Sequence, residues 1–267
     1  MLGSDWVAPW SRAAPTLAPP SPIFLVGFPR SGTTLLDTIL MGHPEAQVME
    51  ERPALTHVQD AIGGMEDIAH LDEAGISAAR ERYFDMAAKY CDLGRPGILI
   101  DKSPLHMNKV PLIHRLFPDA RFILALRHPC DVVLSCFMSN FRLNAAMSNF
   151  LRLEDAGEFY DLSFQYWERA RALMPIPVHT VTYEKMVEDS EVELRPLFAF
   201  LELEWRDTVL DHRRTAASRG LITTASYSQV TEPIYKRAAG RWKAYRRHME
   251  PIIPVLEPWA RKFGYSL

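Results

Sequence analysis

The stretch Ile23-Phe-Leu-Val-Gly-Phe-Pro-Arg-Ser-Gly-Thr-Thr34 decides how this chain is read. Ile23 to Gly27 is a short apolar run without polar interruption, the pattern of a strand buried on both faces. Thr33 to Met41 has a helical pattern that ends before Gly42-His-Pro44. A strand that turns through a glycine-containing loop into a helix offers backbone N–H groups at the positive end of the helix dipole. That is an anion site. Gly32 allows close backbone approach, and the hydroxyls of Thr33 and Thr34 add donors. Gly27 and Gly32 keep the spacing of the nucleoside-triphosphate loop Gly-x-x-x-x-Gly-Lys-[Ser/Thr], but Thr33 stands where that loop has lysine. Arg30 supplies a cation three residues earlier. The pattern therefore points to a phosphate grip and away from an ATPase or kinase. A plain Gly/Ser/Thr turn is the simpler alternative.

Outward from this loop the pattern alternates. Strands are expected at 23–27, 47–49, 97–100, 121–126 and 178–183. Helices are expected at 33–41, at 53–94 with breaks near Gly63-Gly64 and Gly75, and at 105–116 with Pro111 in the first turns. Further helices are expected at 130–140, 154–173, 190–202 and 238–263, with an irregular stretch between the last two. Alternation of this kind means a parallel sheet covered on both faces, with ligands at the carboxyl ends of the strands. Polar residues follow the strands: Phe28 to Thr34, Glu50 and Glu51, Asp101 and Lys102, Arg127 and His128, Tyr183 and Glu184. They should meet along one edge.

Bulk properties narrow the field. The 267 residues suit one large α/β domain, and 48% hydrophobic residues suffice for its core. A net charge of -3 gives no sign of nucleic-acid or anionic-membrane binding. No apolar run approaches the ~20 residues of a membrane span, and no secretion signal is evident, so a cytoplasmic setting is the default. Cys91, Cys130 and Cys136 give neither a disulfide framework nor metal-ligand spacing. Five prolines within residues 1–22 suggest a flexible or extended lead-in.

Arg127-His-Pro-Cys-Asp-Val-Val-Leu-Ser135 forms a second constellation. An arginine ends a strand, and a serine follows about two turns into the next helix. Together they can grip one phosphate, the arginine bidentately.

Phe28-Pro-Arg-Ser-Gly-Thr-Thr-Leu-Leu36 after an apolar strand resembles the 5'-phosphosulfate loop of sulfotransferases that use 3'-phosphoadenosine 5'-phosphosulfate (PAPS). The spacing is most similar to tyrosylprotein sulfotransferases and their bacterial relatives, many of which carry tetratricopeptide repeats upstream. The resemblance runs from about residue 21 to about residue 245 in four blocks. It implies a P-loop-type parallel β-sheet flanked by helices, as a single domain over 21–267 behind a proline-rich extension at 1–20.

The resemblance also implies roles. Arg30, Ser31, Gly32, Thr33 and Thr34 would hold the 5'-phosphosulfate, and Arg127 with Ser135 the 3'-phosphate. Glu51 would be the general base for the acceptor hydroxyl. Lys102, in Asp101-Lys-Ser-Pro104, would neutralise charge growing on the leaving phosphate; an ion pair with Asp101 is the plainer reading of that lysine. Ser226 would hydrogen-bond the leaving group. Tyr183, Gln229, Tyr235 and Arg241 would lie near the nucleotide. Where the tyrosylprotein enzymes place a further arginine, this chain has Ser139, with Arg142 as a substitute. His57 and His106 are lesser contenders for the base. Adenosine 3',5'-bisphosphate (PAP) would be the product, and no metal is required. The acceptor would be a peptide tyrosine or a small molecule, and a homodimer stays open. A small-molecule P-loop kinase and an inactive nucleotide-binding module are the other readings. Met65, Tyr83, Phe84, Phe137, Met138, Phe141, Met147 and Phe150 form either an acceptor groove or core.

Overall fold

The structure, a computed structural model, describes residues 3–7, 10, 19–218 and 238–267, so Ser226, Gln229 and Tyr235 lie outside the described residues. Five strands form one sheet: β1 (Ile23–Gly27), β2 (Ala46–Glu50), β3 (Ile98–Lys102), β4 (Phe122–Leu126) and β5 (Val178–Thr182). Their order is β2-β3-β1-β4-β5, and every adjacent pair is parallel. Helices cover both faces, as expected of a parallel sheet.

All five residues of β1 are buried. Alternation sends Phe24 and Val26 into one core and Ile23 and Leu25 into the other. On the first face the ring of Phe24 meets Phe122, Phe117 and Tyr83 at centroid distances of 5.7, 6.0 and 6.4 Å. On the second face Leu36, Ile39 and Leu40 of the helix Thr33–Met41 join Leu194, Leu197 and Phe198. Each such fully buried side chain contributes roughly 1.5–3 kcal/mol. The chain runs from β1 to the edge strand β2, returns to β3 beside β1, then crosses to β4 on the other side. β1 is therefore the point where the strand order reverses, the usual place for a ligand crevice.

Several local expectations are corrected. Gly75 does not break a helix: it lies in the first turn of Glu73–Ala87, and its N–H donates to the Asp72 cap at 2.8 Å. Between that helix and Ala54–Ala61 a 3-10 turn spans Asp67–His70. The single helix expected over 238–263 is split into Arg241–Tyr245, Arg246–Met249 and Ile253–Lys262. Pro251 separates the second piece from the third, since it lacks an N–H and restricts the residue before it. β5 stops at Thr182, and Tyr183 opens the helix Tyr183–Glu188. Within the stretch read as irregular, His212–Ser218 is helical. Thr215 Oγ1 there lies 3.3 Å from where a Cβ on Gly42 would stand. In the lead-in, Ser4–Val7 forms a helical turn, and Trp10 is buried beneath the Arg115 guanidinium.

The apolar stripe is mostly core. Tyr83, Phe84 and Phe150 are buried, Met65, Phe141 and Met147 pack against them, and Phe137 and Met138 stay exposed. Among the described residues no helix is long and apolar enough to cross a membrane.

Candidate functional site

The strand register builds the site. Leu25 of β1 pairs with Lys102 of β3, and Gly27 pairs with Ala125 of β4, two residues before Arg127. The loop leaving β1 therefore emerges between Lys102 on one side and Arg127 on the other. Glu50 of β2 pairs with Lys102 as well, which brings Glu51 to the same edge.

The loop itself is held in an uncommon shape. Gly32 has φ 97, and a Cβ there would lie 2.6 Å from Cδ2 of Tyr183, so only glycine fits. Arg30 has φ 70, in the left-handed region that non-glycine residues seldom occupy. Such conformations persist where the surroundings enforce them. Here Arg127 does so: its Nη1 donates to the Arg30 carbonyl at 3.0 Å. Nε of Arg30 donates to Ser135 Oγ at 3.2 Å. Two motifs about a hundred residues apart thus meet directly. Nη2 of Arg127 donates to the Ala238 carbonyl at 2.6 Å, and its guanidinium lies 4.8 Å over the Tyr183 ring.

Two polar atoms here point to a ligand. Arg127 Nε and Ser31 Oγ are buried with no hydrogen-bond partner among the described residues. Buried donors are normally satisfied. Together with the buried Thr33 and Thr34 at the helix start, they form a set of donors whose chemistry suits an anion. Ser139 takes no part, because its hydroxyl turns back to the Ser135 carbonyl at 2.6 Å. Arg142 is exposed.

The other half centres on Lys102, which is fully buried. Its Nζ donates to Glu50 Oε1 at 2.8 Å and to Glu51 Oε1 at 3.0 Å. Asp37 Oδ2 stands 3.1 Å away, an ion-pair distance without hydrogen-bond alignment. Burial lowers the basicity of Lys102, but the Asp37, Glu51 and Glu50 carboxylates outweigh it and hold the ammonium above the ordinary lysine value. Glu51 has φ 48, so both Arg30 and Glu51 sit on strained backbone. Sequence reasoning missed Asp37; its signal was one acid inside the otherwise apolar and threonine-rich helix Thr33–Met41.

The ion pair between Lys102 and Asp101 is not formed. Alternation along β3 turns Asp101 to the opposite face, where Tyr83 OH donates to its Oδ2 at 2.9 Å. His106 Nδ1 lies 3.7 Å from Asp101 Oδ1. Burial, outweighing Tyr83, Lys109 and Lys102, raises the Asp101 carboxyl to about 7. Burial, followed by Lys109, lowers His106 to about 3, so the imidazole is neutral and the contact is no ion pair. The unfolded carboxyl ionises near 4 while the folded one resists until about 7. Stability is therefore lost as pH rises through that window. Asp101→Asn should raise Tm by about 4 °C or more at pH 8, and by progressively less toward pH 4, in thermal unfolding scans.

Neither lesser histidine joins the Lys102 cluster: His106 lies beside Asp101, on the other face of the sheet. His57 is exposed and lines a surface cavity of about 380 Å³ with Glu81, Arg82 and Asp85. His128 serves as scaffold: Nδ1 accepts from the Cys130 N–H at 3.2 Å, and Nε2 meets the Ser266 carbonyl at 3.1 Å. Asp131 accepts from the Gly240 and Trp242 N–H groups at 2.6 and 2.8 Å. This fixes the backbone on either side of Arg241.

Comparisons with known proteins agree with this architecture. The family model described as "Sulfotransferase family" matches residues 22–207. Protein-tyrosine sulfotransferase 2 of Gallus gallus is 30% identical over 274 residues, covering 91% of this chain and 71% of its own. An uncharacterized protein of Aquifex aeolicus is also 30% identical, and this chain spans only 33% of its length. The sulfotransferase domain from the Synechococcus PCC 7002 olefin synthase superposes with a TM-score of 0.60 at 22% identity, covering 96% of this chain and 99% of that one. A mouse sulfotransferase, SULT7A1, solved with PAP, gives 0.55 at 18% identity, with 91% and 89% covered. A family match that spans the whole sheet, and a relative of this identity and coverage, place the chain in the sulfotransferase family.

Proposed function

We propose that this protein transfers a sulfuryl group from PAPS to a hydroxyl acceptor, with a peptide tyrosine as the first acceptor class to test. The observation that carries the reading is Glu51 Oε1 standing 3.0 Å from Lys102 Nζ beside a loop whose other flank is Arg127. A base and a cation thus adjoin one anion grip.

When bound, PAPS supplies the sulfuryl group and a phosphate leaving group. The unsatisfied Arg127 Nε and Ser31 Oγ, with the buried Thr33 and Thr34 at the helix start, fit such an anionic molecule. In this reading residues 30–34 hold the 5' end, and Arg127 and Ser135 hold the 3'-phosphate. Tyr183, Arg241 and the resemblance-based Ser226, Gln229 and Tyr235 complete the cover. Glu51 takes the proton from the acceptor hydroxyl. Lys102, with Arg30, holds positive charge where the leaving oxygen gains its electron pair. The tyrosine acceptor draws support from the Gallus gallus relative.

Incubation with labelled PAPS and a panel of tyrosine peptides and small phenols tests this directly. Sulfate should pass to at least one of them, and PAP should raise Tm. A wild-type chain indifferent to PAP would sink the proposal. Glu51→Gln should lower kcat by about 10²–10⁴-fold, while PAP affinity stays within a few-fold.

A further inference from the structure

We propose that Asp37 is a positioning residue for this reaction: it is the permanent counter-ion that keeps Lys102 in place when Glu51 leaves to act as base. The inference rests on the proposed function and deepens it.

The three acids around Lys102 are not equivalent. Side-chain exposure is 44% for Glu51 and 17% for Glu50, but 0% for Asp37 and for Lys102 itself. A base must reach its acceptor, so Glu51 has to turn away from the ammonium, and its exposure permits that. Asp37 cannot. It sits one turn into the helix that starts at the phosphate loop, in a row where Leu36, Ile39 and Leu40 are buried in the core. With Glu51 turned away and Asp37 absent, only the part-exposed Glu50 would face the buried ammonium, and weakening the pairing of a buried charge is costly. Asp37 also links the two halves mechanically. The Thr38 hydroxyl donates to the Thr34 carbonyl at 2.7 Å and lies 3.2 Å from Asp37 Oδ1. The helix that presents Thr33 and Thr34 to an anion therefore carries the acid that fixes Lys102.

The charges make a distinctive prediction. One cation faces three carboxylates beside an anion grip, so removing Asp37 lowers the repulsion on a bound anion while it loosens Lys102. Asp37→Asn should lower kcat about 10–100-fold, and PAP should bind equally well or more tightly by calorimetry. The alkaline limb of the pH–rate profile should move to lower pH, because the carboxylate raises the basicity of the ammonium. Asp37→Glu should restore most of kcat and return the alkaline limb. Asp37→Ser tests the same point if the asparagine variant does not fold. A folded neutral variant with wild-type kcat and an unmoved alkaline limb would overturn the proposal. So would a fall in PAP affinity parallel to kcat, the mark of a merely structural role. Wild-type transfer and PAP binding, measured alongside, report separately on the parent reading.

Discussion

Lys102→Met should reduce turnover by about 10²–10³-fold while PAP affinity changes by less than tenfold. Methionine approximates the lysine stem in volume, so the substitution removes the charge and little else. In the proposed reaction that charge acts where the leaving oxygen becomes negative, and removing one such donor typically has an effect of this size. Affinity is spared because the other cations of the grip, Arg30 and Arg127, stay in place. A second consequence follows from burial. Glu50 and Glu51 can turn toward water, but Asp37 is fully enclosed. Losing one partner of a buried pair costs about 3–5 kcal/mol, so Tm should fall as well. Single-turnover rates on folded protein separate the two effects. Unchanged turnover in a folded Lys102→Met variant would remove Lys102 from the mechanism.

Arg127→Ala should weaken PAP binding by at least about 100-fold, or about 2.7 kcal/mol. Two losses combine. The fork that would hold the 3'-phosphate disappears, and hydrogen bonds to charged groups are worth about 1.5–3 kcal/mol each. The Nη1 bond that keeps Arg30 at φ 70 also goes, so the loop can relax out of its binding shape. Arg127→Lys should recover only part of the affinity, because an ammonium restores charge without the planar fork. Isothermal titration of the three proteins with PAP reads the series. Equal affinities would contradict the placement of the nucleotide.

The sheet was legible in the sequence because buried parallel strands leave a plain mark: short apolar runs, each followed by polar residues. β1 and β4 read cleanly, being buried along their whole length. The edge strands β2 and β5 are largely half-buried and blur into their neighbours, which is why the expected strand runs on to Tyr183. The break after Met249 lay in Pro251, whose effect was outweighed by helical periodicity around it. At the site, Arg30, Glu51, Lys102, Arg127 and Ser135 could be named because each sits in a motif with fixed spacing. Asp37 sits in no such motif: a lone acid in an apolar helix hints at burial but does not name its partner. The alternative that paired Lys102 with Asp101 fails for a related reason. Sequence neighbours in a strand face opposite ways, so adjacency of Asp101 argued against contact rather than for it.

The central position of β1 has a consequence for motion. A strand buried along its length and bonded on both edges belongs to the last part of a domain to open in native-state hydrogen exchange. The anion loop hangs from its end. In the proposed reaction, the groups that would receive the donor are thus anchored to one of the most enclosed strands of the sheet, which leaves little conformational entropy to lose on binding.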